Sequence, residues 1–273
     1  MQGRLSPPEG GRIQSFPVHT WRREFALARE AGLDCIEWVY EVDTEAANPL
    51  RTLAGVAEIA DLSRQSGVAV WSICADFYMQ DHLVAKDGEP RGAAVDHLMG
   101  LIHRAAPLGI RYMVLPFVDA SSLKSSQARE GLIKVLLAVI PRAEVAGVEL
   151  HLETDLHPAV LAELLKAVSH PLIRANYDIG NSASLGHNPA EEIGLIGPWL
   201  GSVHVKDRLL GGGTVPLGTG VADFDTSFRL IMQSGFKGPF ILQAAREAGL
   251  SEIDLAKRNR GFVQQQIESA LVR

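Results

Sequence analysis

Cysteine is scarce in this chain, with only Cys35 and Cys74 among 273 residues. Each falls inside a strand-like run and the two are far apart, so the sequence offers neither a disulfide framework nor a zinc ribbon. The N-terminus lacks the apolar run of a signal peptide, and no apolar stretch approaches the roughly 18 residues of a membrane span. We therefore expect a cytoplasmic protein with reduced cysteines and no membrane partner.

An excess of basic residues is also missing, because 32 acidic residues outnumber 26 lysines and arginines and give a formal net charge of −6. A general nucleic-acid binder would carry a basic surface that meets the phosphates. The composition thus argues against a nucleic-acid partner and says little about small substrates. A hydrophobic content of 47% is ample for one large core, so residues 1–273 are expected to form a single domain.

What the chain does have is a regular alternation of strand-like and helix-like segments. Asn48 is a candidate helix cap, and Pro141 inside a helical run predicts a kink or a break. Eight strand-helix pairs predict an α/β fold, the (β/α)8 TIM barrel. The predicted strands are 1–5, 35–41, 68–75, 112–118, 149–155, 174–179, 202–207 and 240–244, and the predicted helices are 20–31, 48–66, 91–108, 125–146, 158–169, 189–200, 226–234 and 251–272.

The strand 149–155 carries the first sign of chemistry, since its alternation places His151 and Glu153 on one face. Three later strands carry a polar residue near their carboxyl ends, namely Asp178, His204 and Gln243. Because barrel strands share one mouth at those ends, Glu153 and these three side chains are expected to converge. Three oxygen ligands and one imidazole suit a single divalent ion, with Mn²⁺ favoured and Mg²⁺, Co²⁺ or Zn²⁺ as alternatives.

The motifs at these strand ends carry a resemblance to a known family. They are His151-Leu-Glu153, Asp178-Ile-Gly-Asn181, Val203-His-Val-Lys-Asp207, Gly238-Pro-Phe-Ile-Leu-Gln243 and the Pro-Leu-Gly-Thr-Gly run that ends at Gly220. Over nearly its whole length the chain resembles the sugar phosphate isomerase/epimerase family of xylose isomerase-like barrels. The resemblance implies that Glu153, Asp178, His204 and Gln243 hold one divalent ion.

The implied reaction is proton abstraction beside the carbonyl of a small sugar or sugar phosphate, through a metal-stabilised enediolate. Glu153 is expected to be both ligand and catalytic base. The departure from the family lies at Gln243, where the epimerases use a second Glu as acid or base on the opposite face of the sugar. An amide cannot exchange that proton, although Gln243 could still coordinate through its carbonyl oxygen.

Five further residues are candidate substrate contacts: His151, His187, Asp207, Arg4 and Arg246. His151 could equally be a hydrogen-bonded core histidine, and His187 could equally have a role in helix capping. Asp207 could instead orient His204 or form a salt bridge with Lys206 or Arg208. Arg4 and Arg246 are expected at the mouth, where either could meet a phosphate or carboxylate.

Two other features allow both functional and structural interpretations. Glu37 is expected to point into the barrel, where an ion pair with Arg4 would satisfy it without a catalytic role. The glycines at 211 to 213, 218 and 220 make a loop at the mouth, whose amides could cradle a phosphate or which could act as a hinged lid.

Three rivals to the isomerase or epimerase remain. A keto-inositol or 3-keto-sugar dehydratase would need an acid such as His151, His187 or Tyr78 for the leaving hydroxyl. An abasic-site endonuclease would need a multi-metal cluster and a basic groove. A sugar-binding protein without catalysis would have lost its base, whereas Glu153 is present. Assembly into a homo-oligomer is left open.

Overall fold

The computed structural model describes residues 1–2, 4–9 and 11–272. Its strands are mostly buried, as expected when outer helices cover a parallel sheet that encloses a core. Leu150 and Leu152 illustrate the pattern, since both are fully buried and alternate with His151 and Glu153 along one strand. The strands are β1 Cys35–Val39, β2 Ala69–Cys74, β3 Tyr112–Phe117, β4 Glu149–Thr154, β5 Ile173–Asp178, β6 Leu200–Val205, β7 Asp207–Arg208, β8 Thr214–Val215 and β9 Phe240–Leu242.

Seven of these strands form one parallel sheet in the order β1, β2, β3, β4, β5, β6, β9. The N-terminus nearly closes this sheet into a barrel. Gln2 forms a parallel bridge with Glu37 of β1, and its backbone N–H donates to the carbonyl of Leu242 of β9 at 3.1 Å. The predicted TIM barrel is confirmed, and the described residues of the predicted first strand take part in it through this bridge. Residue 3 of that strand lies outside the described residues.

Within the described residues nine α-helices accompany the strands, as the sequence pattern predicts for most of them. No helix among these residues is both long and apolar enough to cross a membrane. The helices are α1 Trp21–Glu30, α2 Leu53–Ser66, α3 Gly92–Ala105, α4 Ser126–Ala146, α5 Pro158–Val168, α6 Ile179–Ser184, α7 Pro189–Ile196, α8 Phe224–Gln233 and α9 Glu252–Val272.

One predicted helix start needs correction, the helix with Pro141 shows no break, and one short helix was not predicted. Asn48 caps a short 3-10 turn rather than α2, which begins after Thr52, whose side chain accepts the N–H of Gly55 at 3.0 Å. Pro141 does not break α4, which runs through it without interruption. The short helix α6, directly after β5, was not predicted, because its six residues are too few to show a helical period.

The glycine loop contains a small hairpin at the mouth of the barrel. β7 and β8 pair in antiparallel fashion, with Asp207 opposite Val215. Asp207 is fully buried, and its carboxylate accepts the backbone N–H groups of Arg208, Gly218, Gly220 and Ala222 at 2.8 to 3.2 Å. The amides of Gly218 and Gly220, which were considered as phosphate ligands, thus already donate to the Asp207 carboxylate.

Candidate metal and substrate site

Glu153, Asp178 and His204 come together at the carboxyl ends of three neighbouring strands. Asp178 lies directly opposite His204 in the pairing of β5 with β6. One potential ligand atom from each residue lies within 4.8 Å of the other two, and all three residues are buried. The parallel order of β4, β5 and β6 produces this convergence, because it stacks the strand ends at one edge. The three side chains form a candidate site for a divalent metal ion.

His204 is held in one orientation by carboxylates on both ring nitrogens. Its Nε2 lies 2.9 Å from Glu37 Oε1, and its Nδ1 lies 3.2 Å from Glu153 Oε2 and 3.9 Å from Asp178 Oδ2. Burial alone would lower the pKa of His204, but the charge of Glu37 and the contact with Glu153 outweigh it and raise the pKa to about 10. The Glu37 contact leaves Nδ1 as the nitrogen that faces the other two potential ligands.

Glu153 is positioned by two asparagines from β5 and α6. Asn181 Nδ2 donates to its Oε1 at 2.8 Å, and Asn176 Nδ2 donates to its Oε2 at 3.2 Å. Burial acts to raise the pKa of Glu153, yet His204 and Lys206 reverse the direction and lower it. The carboxylate is therefore ionised and oriented, as a ligand or a base requires. Neither asparagine was predicted to have a role, although Asn181 ends the motif Asp178-Ile-Gly-Asn181 and Asn176 lies two residues before it.

Asp178 forms an ion pair that was not predicted, with Lys206. Lys206 Nζ lies 2.8 Å from Asp178 Oδ2, while Asp178 Oδ1 accepts the N–H of Asn181 and caps α6. This close approach requires Gly180, because a Cβ there would lie 2.8 Å from the Lys206 carbonyl carbon. Lys206 therefore offsets part of the negative charge that the two carboxylates concentrate at the site.

Gln243 follows β9 and lies at the mouth. Its Nε2 donates to Gln2 Oε1 at 2.8 Å, while its own Oε1 is buried and has no hydrogen-bond partner among the described residues. An unpaired buried acceptor is costly unless a ligand meets it. Two carboxylates, an imidazole and an amide oxygen form a donor set that suits a hard or borderline divalent ion. These residues therefore fit the metal that the resemblance implies.

A cavity of about 530 Å³ opens at the mouth, with Glu153 and Gln243 in its wall. Asp119, another wall residue, has a φ of 52°, an uncommon backbone conformation for a non-glycine residue. Arg208 is tied down, since its Nη1 donates to Asn181 Oδ1 and its Nη2 to the carbonyl of Gly212. The charged residues that line the cavity are Asp76, Asp119, Glu153, Asp155, Lys206 and Arg208.

The predicted histidine contacts lie away from this cavity wall. His151 is fully buried deeper in the barrel, where it stacks on Tyr112 with ring centroids 4.3 Å apart. Its Nδ1 lies 2.8 Å from Ser202 Oγ and its Nε2 2.8 Å from Glu149 Oε2. His187 is partly buried beside Glu192, at 3.2 Å. A substrate role for either histidine stays a prediction, and their contacts in this structure are with the protein itself.

The contacts of Asp207 and Glu37 differ from the protein partners considered for them, while a substrate contact of Asp207 stays a prediction. Asp207 holds backbone amides of the hairpin loop, so neither Lys206 nor Arg208 is its ion-pair partner and it does not orient His204. Glu37 meets His204 rather than Arg4, because Gln2 is the residue that bridges Glu37, whereas Arg4 lies further along the chain and reaches the Ala244 carbonyl.

The two arginines expected at the mouth are engaged with the protein. Arg4 is buried, donates to the Ala244 carbonyl and to Gln14 Oε1, and has its pKa lowered to about 10 by burial and by nearby Arg246. Arg246 donates to the Ser6 carbonyl at 2.8 Å and pairs with Glu252 at 2.7 Å. Their contact with a substrate stays a prediction.

A second cavity, of about 440 Å³, lies at the opposite end of the barrel. Its wall includes Arg111, Tyr112, Glu149 and Arg174, which belong to the first residues of β3, β4 and β5 or directly precede them. In TIM-barrel enzymes the chemistry lies at the carboxyl ends of the strands, so the mouth cavity is the candidate active site.

Comparison with known proteins identifies the family to which this barrel belongs. The chain is 27% identical to L-ribulose-5-phosphate 3-epimerase UlaE of Salmonella heidelberg (strain SL476) over 271 residues, which cover 92% of this chain and 91% of that protein. A solved structure of L-ribulose 3-epimerase superposes with a TM-score of 0.74 at 19% identity, over 99% of this chain and 94% of that one. The IOLI protein with a binding zinc atom superposes with a TM-score of 0.73 at 17% identity, over 91% and 93%. The family model described as xylose isomerase-like TIM barrel matches residues 25–266, and the chain belongs to that family.

Proposed function

We propose that the protein is a metal-dependent isomerase of a small ketose, with Glu153 as ligand and catalytic base. The observation that carries this proposal is the buried group of Glu153, Asp178 and His204, with Glu153 in the wall of a cavity of about 530 Å³. That volume lies within the usual range for small-molecule sites. The zinc atom named for the related IOLI barrel supports a divalent ion in this fold.

The site residues have two proposed roles, which are to bind the metal ion and to transfer a proton. Glu153, Asp178, His204 and the amide oxygen of Gln243 would hold the ion, which supplies positive charge for an enediolate when bound. Asn176 and Asn181 fix the Glu153 carboxylate, so that it can take a proton from the hydroxyl-bearing carbon beside the sugar carbonyl and return it to the former carbonyl carbon. The hydroxyl proton passes to the former carbonyl oxygen in the same conversion.

Gln243 favours isomerisation over epimerisation. Transfer between neighbouring carbons on one face of an enediolate needs one base, whereas epimerisation needs a second group on the opposite face. Gln243 has no proton to exchange at neutral pH. Epimerisation at carbon 3 is the second candidate, and the name of the relative with 27% identity supports it.

The charges in the cavity favour a free sugar over a sugar phosphate. Lys206 is paired with Asp178, and Arg208 donates to Asn181 and Gly212, so both cations of the wall are already engaged. Three other wall carboxylates add negative charge that would repel a phosphate. They are Asp76, Asp119 and Asp155.

The other rivals find less support. The acids suggested for a dehydratase make contacts elsewhere, with Tyr78 Oη 3.0 Å from His97 Nδ1 and His187 beside Glu192. For an endonuclease, the group of Glu153, Asp178 and His204 is the one metal-type cluster within residues 1–2, 4–9 and 11–272, in place of a multi-metal centre.

The test combines metal content with product analysis. We expect one divalent ion per purified chain, lost in Asp178→Ala and kept in Asp34→Ala, which changes an exposed carboxylate at the other end of the barrel. Ketoses and ketose phosphates are then incubated in D₂O and the products identified by NMR. Ketose-aldose exchange is the expected result. Equal metal content in the two variants would refute the proposed metal site. A product epimeric at carbon 3 would establish the second candidate, and a product that has lost water would mean dehydration.

A further inference from the structure

Three buried side chains form a hydrogen-bonded chain across the seam where the barrel closes. Gln243 Nε2 donates to Gln2 Oε1 at 2.8 Å, and Gln2 Nε2 donates to Glu37 Oε1 at 3.2 Å. Gln2 and Glu37 are fully buried, and Gln243 is nearly so. We call Gln243, Gln2 and Glu37 the amide chain. It joins the end of β9, the N-terminus and β1. Its Glu37 end contacts His204 of the candidate metal site, and its Gln243 end lies in the wall of the same cavity as Glu153.

The direction of this chain is fixed by Glu37. Its carboxylate already accepts from Ser72 Oγ at 2.8 Å and meets His204 Nε2 at 2.9 Å. A carboxylate that accepts from Ser72 and pairs with His204 is ionised and has no hydrogen to give. Gln2 must therefore turn its NH₂ group toward Glu37 and its oxygen toward Gln243, and Gln243 must turn its own NH₂ group toward Gln2. Hydrogen-bond chemistry thus leaves only the oxygen of Gln243 to face away from the chain.

We propose that Gln2 is a positioning residue that selects an amide over a carboxylate at position 243 and presents the Gln243 oxygen to the candidate metal site. The buried Oε1 of Gln243, which has no hydrogen-bond partner among the described residues, is the atom so presented. Its role as a neutral ligand rests on the proposed function, whereas the selection of an amide rests on the hydrogen bonds alone.

A carboxylate at position 243 would conflict with this chain. With Gln2 as it stands, two acceptor oxygens would face each other inside the barrel. With the Gln2 amide turned over, its oxygen would face Glu37 instead. Either arrangement leaves a pair of buried acceptors without a hydrogen between them, which is destabilising. The substitution Glu37→Gln would relieve the conflict, because the whole chain could then run in the opposite direction.

The experiment compares four proteins by thermal unfolding in excess EDTA: the wild type, Gln243→Glu, Glu37→Gln and the double variant. The double variant keeps the net charge of the wild type and reverses the chain. We expect each single substitution to lower Tm by roughly 4 to 8 °C, and the double variant to lie several degrees above the sum of the two losses. Strictly additive losses would overturn the proposal.

A matched control asks whether Gln2 carries this coupling. In the Gln2→Met background, which keeps the length of the side chain and removes its donor and acceptor, the same four proteins are expected to show additive Tm changes. Coupling that persisted there would also overturn the proposal. If Gln2→Met does not fold, Gln2→Leu serves the same purpose, and the first four proteins by themselves still decide whether positions 37 and 243 are coupled.

Calorimetric titration with Mn²⁺ separates this inference from the proposed function. Gln2→Met is expected to weaken Mn²⁺ binding by about 10-fold, because the Gln243 amide is no longer held. An unchanged Mn²⁺ affinity in Gln2→Met would refute the proposal that Gln2 presents the Gln243 oxygen to the metal site. Coupling in EDTA together with no Mn²⁺ binding by the wild type would uphold the selection of an amide by Gln2 and refute the metal-dependent function.

Discussion

Two histidines lie fully buried inside the barrel, and their surroundings drive their pKa values in opposite directions. His204 at the mouth lies between Glu37 and Glu153, both buried, and its pKa is raised to about 10. His151, nearer the other end, has one carboxylate partner among the described residues, Glu149, whose side chain is 39% exposed. There burial prevails over the contact with Glu149 and lowers the pKa of His151. Burial therefore does not decide the charge of a histidine, which depends on how many carboxylates are buried with it.

The same two regions differ in what their carboxylates are free to do. Glu149 at the base is half-exposed and also lies 3.9 Å from Arg174 Nε. Glu153 at the mouth is buried and fixed by donors on both oxygens. A buried, oriented carboxylate beside a cavity can act as a base or ligand, whereas a screened one contributes little. Polar side chains connect the regions, since Ser202 Oγ lies 2.8 Å from His151 Nδ1 and donates to Asn176 Oδ1 at 2.7 Å.

The largest expected effect is on kcat, and a Glu→Gln substitution at each end of the barrel tests it. Glu153→Gln keeps the shape of the side chain and removes the base, so kcat should fall by roughly 10³-fold. Glu149→Gln removes a carboxylate of the base region and should leave kcat close to that of the wild type. Proton exchange from substrate into D₂O measures both, with circular dichroism to verify folding. Equal losses in the two variants would mean that Glu153 is not the base.

A second prediction uses the opposite pKa shifts of the histidines in metal-free protein. The raised pKa of His204 gives stability that is fully present below its unfolded value near 6.5 and is lost as pH rises toward 10. The lowered pKa of His151 gives stability that is present above 6.5 and is lost as pH falls. Each slope is at most about 1.4 kcal/mol per pH unit.

Urea unfolding in EDTA between pH 5 and 9 measures these slopes in the wild type, His204→Gln and His151→Gln. The free energy of unfolding of the wild type exceeds that of His204→Gln, and this difference should decrease as pH rises. The corresponding difference for His151→Gln should shrink as pH falls. Two differences that change in the same direction would show that the two environments do not separate the histidines.

The smallest expected effect is at the connection between the two regions. Ser202→Ala removes the hydroxyl that His151 and Asn176 share, and Asn176 in turn donates to Glu153. We expect a loss of about 1 kcal/mol in the free energy of unfolding, and a decrease in kcat that is much smaller than that of Glu153→Gln. Ser234→Ala, an exposed serine, is the control. A loss of activity comparable to that of Glu153→Gln would mean that the two regions act as one.

The sequence alone determined the barrel and three members of its candidate site. Apolar runs of strand length separated by amphipathic helices predict parallel strands, and parallel strands bring their carboxyl ends together whatever the sequence distance between them. Glu153, Asp178 and His204 could therefore be placed at one mouth from their positions in their strands, and the structure brings them within 4.8 Å. Short elements without a period, such as α6 and the N-terminal bridge, escaped this reasoning.

Only the tertiary structure decided which partners these side chains have. Whether Glu37 meets Arg4 or His204 depends on the register of the N-terminus against β1, and the register seen here places Gln2 opposite Glu37, which contacts His204. The same bridge places Gln2 beside Gln243, a contact between residues 241 positions apart. The hydrophobic pattern fixes which face of a strand is buried. Pairing across the closed barrel is a three-dimensional property, and the charge and orientation of every buried polar group in this site follow from it.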